Sequence, residues 1–251
     1  GRRPPLRGHL KTQAAVVGAG MAGVLTAYAL QQAGLSVVVL EAGRIAGGQT
    51  QNTTAKITSQ HGLIYSRLIQ SFGEETARQY AKANQDAVRA YQDLIDVQGI
   101  SCDWEERCAY LYGPDVTVLQ EEAEAARCLG LPASFTREVS IPIPHDGAVC
   151  FEGQAQFHPL KFLKVLADQL TIYEQSRVLT AEGDLLTTEL GSVQAEHIVS
   201  ACHFPFVNFP GMYFARMHQE RSYVLALQGA PPVDGMFLGV GRDTFSLRTY
   251  G

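Results

Sequence analysis

The chain has 251 residues, 46% of them hydrophobic and 18% charged, with a formal net charge of −5. This length can bury a large core in one or two domains, and the composition is that of an ordinary globular protein. The acidic balance and the lack of a basic patch argue against a nucleic-acid partner, and no apolar run approaches the roughly 18–20 residues that span a bilayer.

The first twelve residues, GRRPPLRGHLKT, carry arginines but no apolar stretch behind them. They are expected to be an extended lead-in and not a secretory signal. A short apolar run at 14–17 predicts a strand. Glycines follow at Gly18, Gly20 and Gly23, and an apolar stripe through Met21, Val24, Leu25, Tyr28 and Ala29 predicts a helix ended by Gly34. A second apolar run at 37–40 ends in Glu41. Strand, tight turn, helix, strand and acid together make a dinucleotide-binding pattern. Gly18 turns the chain out of the strand, Gly20 leaves room for a pyrophosphate and Gly23 allows close helix packing. The helix start offers N–H groups to phosphate, and Glu41 is placed to accept from ribose hydroxyls. A carboxylate there repels a 2′-phosphate. NADP is therefore disfavoured, while FAD and NAD stay open.

The next segment, AGRIAGGQTQNTTAKITSQHG, favours FAD. Arg44, Gly47, Gly48, Thr50, Thr53, Thr54 and Lys56 suit a loop that wraps a long cofactor, although a surface loop with turn glycines has the same composition. Helices are predicted over 63–72 and 74–97, a strand or hairpin arm over 100–112 and a short acidic helix over 117–128. Strands are predicted over 139–143 and 148–152, the first irregular because of Pro142 and Pro144. A helix opens at His158-Pro159. From 172 onward the pattern is all strand, with a hairpin around Gly191 and a strand over 197–201 that returns to the cofactor sheet. RSYVLALQ and GMFLGVG are predicted as further strands.

Five cysteines, Cys102, Cys108, Cys128, Cys150 and Cys202, contain no C-x-x-C pair and fit a reduced, cytoplasmic protein. His61, His158 and His203 invite catalytic roles, but a structural role is favoured for each. No Ser-His-Asp or metal-ligand spacing appears, so no catalytic residue and no metal is assigned. Arg216 and Arg221 suit a substrate carboxylate, because a guanidinium fork matches it, although a salt bridge explains either as well. An NAD-linked dehydrogenase and a catalytically incomplete dinucleotide-binding fragment are the alternatives to a flavoenzyme.

Five segments carry a resemblance: VVGAGMAG, LEAGRIAGGQT, TTAKITSQHGLIY, GQAQFHPLKFLKVLA, and HFPF followed by YFARMHQERSYVLAL. Together they resemble FAD-dependent oxidoreductases of the D-amino-acid oxidase and glycine oxidase superfamily, in the bacterial branch often fused to a C-terminal Rieske domain. The resemblance implies an α/β fold. A Rossmann-like FAD-binding domain of glutathione-reductase type would come from 12–72 and 148–204. A second, α+β substrate domain would come from 73–147 and 205–251 and stop short of the superfamily's closing element. The implied activity is oxidation of an amine or amino acid by hydride transfer to flavin, with a small-molecule substrate and an electron acceptor. No Cys and His set here is spaced like Rieske ligands, so such a domain would lie outside this sequence. The implied cofactor contacts are Gly18, Gly20, Met21, Ala22, Gly23, Glu41, Ala42, Arg44, Gly48, Gln49, Thr50, Thr54, Lys56, Val178 and Ala201, with Val178 offering its backbone to the adenine. Tyr213, Arg216 and Arg221 are the implied substrate contacts.

Overall fold

The computed structural model describes residues 2–204, 206–209, 211–241 and 244–250. In chain order the elements are β1 (Gly8–Val17), α1 (Met21–Gln32), β2 (Val37–Leu40), β3 (Lys56–Ile57), α2 (Tyr65–Phe72), α3 (Glu74–Gln98), β4 (Glu105–Gly113), α4 (Val116–Cys128), β5 (Ala133–Thr136), β6 (Gly147–Gln156), α5 (Pro159–Ala167), β7 (Thr171–Tyr173), β8 (Thr180–Glu182), β9 (Leu185–Thr187), β10 (Gly191–Ser200), α6 (Tyr213–Arg216), β11 (Met236–Gly239) and β12 (Ser246–Arg248). A 3-10 turn occupies Gln49–Asn52. The chain divides into two compact units, Gly1–Thr54 with Pro159–Leu225 and Ala55–His158 with Ala226–Gly251.

The first unit is built on one sheet in the order β7-β2-β1-β10-β9-β8. The strands β7, β2, β1 and β10 run parallel, and β9 and β8 extend the sheet antiparallel. The parallel pairing of β1 with β2 needs a crossover, which α1 supplies. The inner strands are apolar on both faces, as a covered parallel sheet requires: Ala14, Ala15, Val16 and Val17 of β1 and all of β2 are buried. The returning strand predicted over 197–201 is the last half of β10, which pairs Val16 with Val199 and Val17 with Ser200.

The second unit holds a mixed sheet, β12-β11-β4-β6-β3, with β5 also on β6. The long β4–β6 pair carries a register shift between Arg107 and Ala109. Helices α2, α3 and α4 close one apolar core, in which Tyr65, Ala77, Ala81, Leu119 and Ala126 pack with Leu111, Val149 and Phe151.

Four predicted strands are corrected. Residues 139–143 form no strand, because Pro142 and Pro144 lack the N–H a ladder needs. Val139, Ile141 and Ile143 still pack as partly buried side chains beside Tyr112 and Phe237. RSYVLALQ alternates like a strand but has no ladder partner among the described residues, and Tyr223 and Leu225 are each 86% exposed. The run from 172 is broken into β7 and β8 because Gln175 takes a left-handed backbone, φ 50°. Asp103, φ 51°, likewise delays β4 to Glu105.

The compact units divide at other places than the domains expected from sequence. Residues 55–72 and 148–158 fall in the second unit because β3 pairs with β6 and α2 packs on the helix core there. Residues 205–225 fall in the first unit, whose core receives Phe206. Pro205 and Pro210 lie outside the described residues.

Candidate functional site

A cavity of about 630 Å³ opens in the first unit where β1 and β2 end and α1 begins. Its geometry follows from the three glycines, and each is needed for a different reason. Gly18 has φ +105°, and a Cβ there would sit 2.9 Å from the Ala201 carbonyl oxygen. At Gly23 a Cβ would lie 1.9 Å from the Gly18 oxygen, far closer than non-bonded atoms approach. These two glycines are required by packing of the protein on itself. At Gly20 the backbone is ordinary, φ −80°, and a Cβ would touch only Thr50 Oγ1, at 3.4 Å. Gly20 therefore keeps open space that belongs to the cavity. Beyond it, the first-turn N–H groups of α1 have no intrahelical acceptor; that of Met21 donates to Thr50 Oγ1 at 3.0 Å.

Glu41 follows directly on β2 beside this helix start. Its Oε2 accepts from the Ala19 N–H at 2.8 Å and its Oε1 from the Gly43 N–H at 2.7 Å. A carboxylate offers about four lone-pair sites, so the two bonds fix the side chain and leave acceptor capacity facing the cavity. The loop after β7 is laced to the same place. The Ser176 N–H donates to the Glu41 carbonyl at 2.8 Å and the Gln175 N–H to the Gly43 carbonyl at 3.1 Å, which brings Val178 to the cavity wall.

Buried Glu174 holds this loop and the Arg44 region together. It accepts from the Ile45 N–H and the Arg3 N–H, each at 2.9 Å. Burial pushes its carboxyl up, but those two N–H donors and the charges of Arg44 and Arg3 outweigh it and hold the group below the usual range.

Of the residues expected at the cofactor, Gly18, Gly20, Met21, Ala22, Glu41, Ala42, Gly48, Gln49, Thr50, Val178 and Ala201 line the cavity. Gly23 lies beneath it, against Gly18. Arg44 and Thr54 are not on its wall. Lys56 sits in β3 of the second unit, where its Nζ donates to the Phe237 carbonyl at 3.0 Å and to Ser246 Oγ at 2.7 Å. Tyr213, Arg216 and Arg221 are exposed and line no part of the cavity. His203 is on the wall, while His61 bonds Asn84 Oδ1 at 3.0 Å. Ala46, Cys202 and Phe206 also line the cavity without having been singled out. Ala46 could have been found, since it sits in the same glycine-rich loop, and Phe206 lies in the HFPF segment that carries the resemblance.

Burial, with the nearby Arg248 charge as a second cause, lowers the Lys56 ammonium from the ordinary 10.5 to about 8. Below pH 8 both folded and unfolded chains carry the proton and the folded protein bears the full cost of a buried charge. Between about 8 and 10.5 the folded state gives the proton up first, so wild-type stability rises with pH. Lys56→Met is expected to raise the melting temperature at pH 7 and to lose that advantage by pH 10.5. A gain of equal size at both pH values would show that the charge is not what costs stability.

The strand–turn–helix–strand frame with a glycine cradle and a terminal acid defines a dinucleotide-binding fold. Residues 13–250 match the family model described as FAD dependent oxidoreductase, DAO, and the chain belongs to that family. It is 35% identical over 98% of its length to YhfW of Bacillus subtilis (strain 168), provisionally named a Rieske 2Fe-2S iron-sulfur protein, and covers 51% of that protein. It is 25% identical over 74% of its length to gamma-glutamylputrescine oxidoreductase of Escherichia coli (strain K12), covering 47% of it. The chain thus spans about half the length of these curated relatives. Among solved structures, glycine oxidase from Geobacillus kaustophilus superposes with a TM-score of 0.62 at 16% identity, over 92% of this chain and 66% of that one. Among the described residues no helix is long and apolar enough to cross a membrane.

Proposed function

We propose that the chain binds FAD in the cavity of the first unit and takes part in the oxidation of an amine or amino acid. The carrying observation is the cradle at Gly20, ordinary in backbone and open above, between a helix start and the fixed carboxylate of Glu41. The residues fit the cofactor. Gly20 and the first turn of α1 would receive the pyrophosphate, Glu41 the adenine ribose, and the backbone around Val178 the adenine. Gly48, Gln49 and Thr50 would follow the chain of the cofactor toward its flavin, with Met21, Ala22, Ala42 and Ala201 filling the wall. Bound FAD supplies a ring system that accepts a hydride from a C–N bond. The protein's share is to hold the ring still and keep water from it.

The relation to gamma-glutamylputrescine oxidoreductase supports an amine-type substrate, and the relation to YhfW supports a Rieske cluster as electron acceptor. A cytoplasmic location is consistent with the free cysteines. The arginines Arg216 and Arg221, with Tyr213, remain candidates for holding the substrate.

The test is the visible spectrum of the purified protein, where flavin absorbs near ~370 and ~450 nm. Glu41→Ala should then weaken FAD binding by roughly 1–3 kcal/mol, the scale of a lost charged hydrogen bond. A colourless protein that takes up no added FAD rejects the reading, and an unchanged FAD affinity in the variant rejects the ribose role.

A further inference from the structure

We propose that residues 3–6 form a strap that sets the affinity for the adenine end of the cofactor, with Arg3 as its positioning residue. The strap rests on the reading above for what the cavity holds, and none of its residues is on the cavity wall.

The loop that brings Val178 to the cavity has little support from its own strand. β7 has three residues and lies at the edge of its sheet, where it pairs with β2. The loop after it passes through Gln175 at φ 50°, a backbone that a non-glycine residue keeps only where its surroundings hold it. The Glu41 and Gly43 carbonyls hold it on one side. Residues 3–6 hold it on the other. The Arg3 N–H donates to Glu174 Oε2 at 2.9 Å, and the Leu6 N–H donates to Ser176 Oγ at 2.8 Å. Ser176 Oγ in turn donates to the Glu174 carbonyl at 2.9 Å. Leu6 is 1% exposed and packs in the apolar cluster that contains Val178.

The side chain of Arg3 reaches the other end of β7. Its Nη2 donates to the Ala167 carbonyl at 2.8 Å and to Asp168 Oδ1 at 3.2 Å, and its Nη1 to the Leu170 carbonyl at 3.3 Å. Ala167 ends α5, so the guanidinium sits where a helix C-terminus favours positive charge. Pro4 and Pro5 separate the two anchoring N–H groups. Proline has a fixed φ and no N–H to satisfy, so the link is stiff and loses little freedom when it docks. The entry to β7 and its exit are thereby tied together. Without the strap the wall residues would all be present, but the loop carrying Val178 would have to be ordered as the adenine binds. That ordering is subtracted from the binding free energy.

Calorimetric titration of the full chain with FAD and with ADP, at a temperature well below melting, tests this. ADP carries the adenosine and the diphosphate without the flavin. Arg3→Ala removes the side-chain bonds to the end of α5. Pro4→Gly combined with Pro5→Gly loosens the link and removes none of these contacts. Arg3→Ala is expected to weaken FAD and ADP by the same factor, about tenfold, the scale of one or two lost hydrogen bonds from a charged group. The glycine pair should weaken both severalfold, through the freedom the unbound chain regains. The visible spectrum of bound flavin should not change. Glu122→Gln, in the second unit, is the control for lost stability and should lower the melting temperature with both affinities intact. FAD and ADP affinities within about twofold of wild type in Arg3→Ala, a loss for FAD without one for ADP, or an equal loss in the Glu122 control each overturns the strap. Wild-type FAD uptake with unchanged variants removes the strap and keeps the flavoenzyme. A wild type that takes up no FAD, yet binds ADP about tenfold more tightly than Arg3→Ala does, removes the flavoenzyme and keeps the strap.

Discussion

Gly23→Ala is expected to abolish stable FAD binding and to lower the melting temperature sharply. The new Cβ would fall 1.9 Å from the Gly18 oxygen and 3.0 Å from its carbon. Neither atom is the end of a flexible side chain. Gly18 is itself held by its own N–H bond to the Leu40 carbonyl at 2.8 Å, and its neighbour Val17 accepts from the Ala201 N–H at 2.9 Å. Relief therefore requires α1 to lift off the sheet, which takes its first turn out of line with Glu41. Overpacking costs about 1–3 kcal/mol, occasionally more, and a clash with backbone falls at the upper end. Gly20→Val is the contrast, since its Cβ enters cavity space and meets only Thr50 Oγ1, at 3.4 Å. That variant should keep its melting temperature within a few degrees and lose FAD. Thermal melts paired with a flavin titration separate the two. A Gly23→Ala protein with wild-type melting and flavin content would show that the packing is looser than it looks, and wild-type FAD affinity in Gly20→Val would remove the phosphate role.

The difference between these glycines was only half legible in the sequence. Their spacing, the flanking apolar runs and Glu41 are all local signals, and the strand–turn–helix–strand frame follows from them. That Gly23 answers to Gly18 whereas Gly20 answers to open space appears only when the turn is built. The same limit explains the other failures. RSYVLALQ has the alternation of a strand, but a strand is made by a partner, and alternation does not name one. Glu174 organises the cavity loop through Ile45, 129 positions earlier, and through Arg3, 171 positions earlier. Lys56 continues a glycine- and threonine-rich run, and what the sequence does not display is the pairing of β3 with β6, which makes it part of the second unit.

Glu122 is the clearest of these distant contacts, and removing it should have the largest effect on stability. Helix α2 begins at Tyr65 after Ile64, a residue with no side-chain acceptor to cap it. The carboxylate of Glu122, buried at 1% exposure on α4, does the capping instead. Its Oε1 accepts from the N–H groups of Ile64 and Tyr65, each at 2.8 Å, and its Oε2 from that of Ser66 at 3.0 Å. Three donors that no carbonyl could reach are satisfied by one side chain, and negative charge at a helix start adds a favourable dipole interaction. Glu122→Leu keeps bulk and strands all three donors in an apolar core. The expected cost is roughly 3–5 kcal/mol, since each partly buried N–H left without an acceptor costs about 1–3 kcal/mol. Glu122→Gln keeps one oxygen for Ile64 and Tyr65 but turns an amide N–H toward Ser66. Its cost should be intermediate, about 1–3 kcal/mol. Urea denaturation followed by far-ultraviolet circular dichroism gives both numbers. The order wild type, Gln, Leu is the signature of capping. A Leu variant within about 0.5 kcal/mol of wild type, the scatter of an ordinary surface change, would mean that α2 is held by its packing and that the three N–H groups find other acceptors.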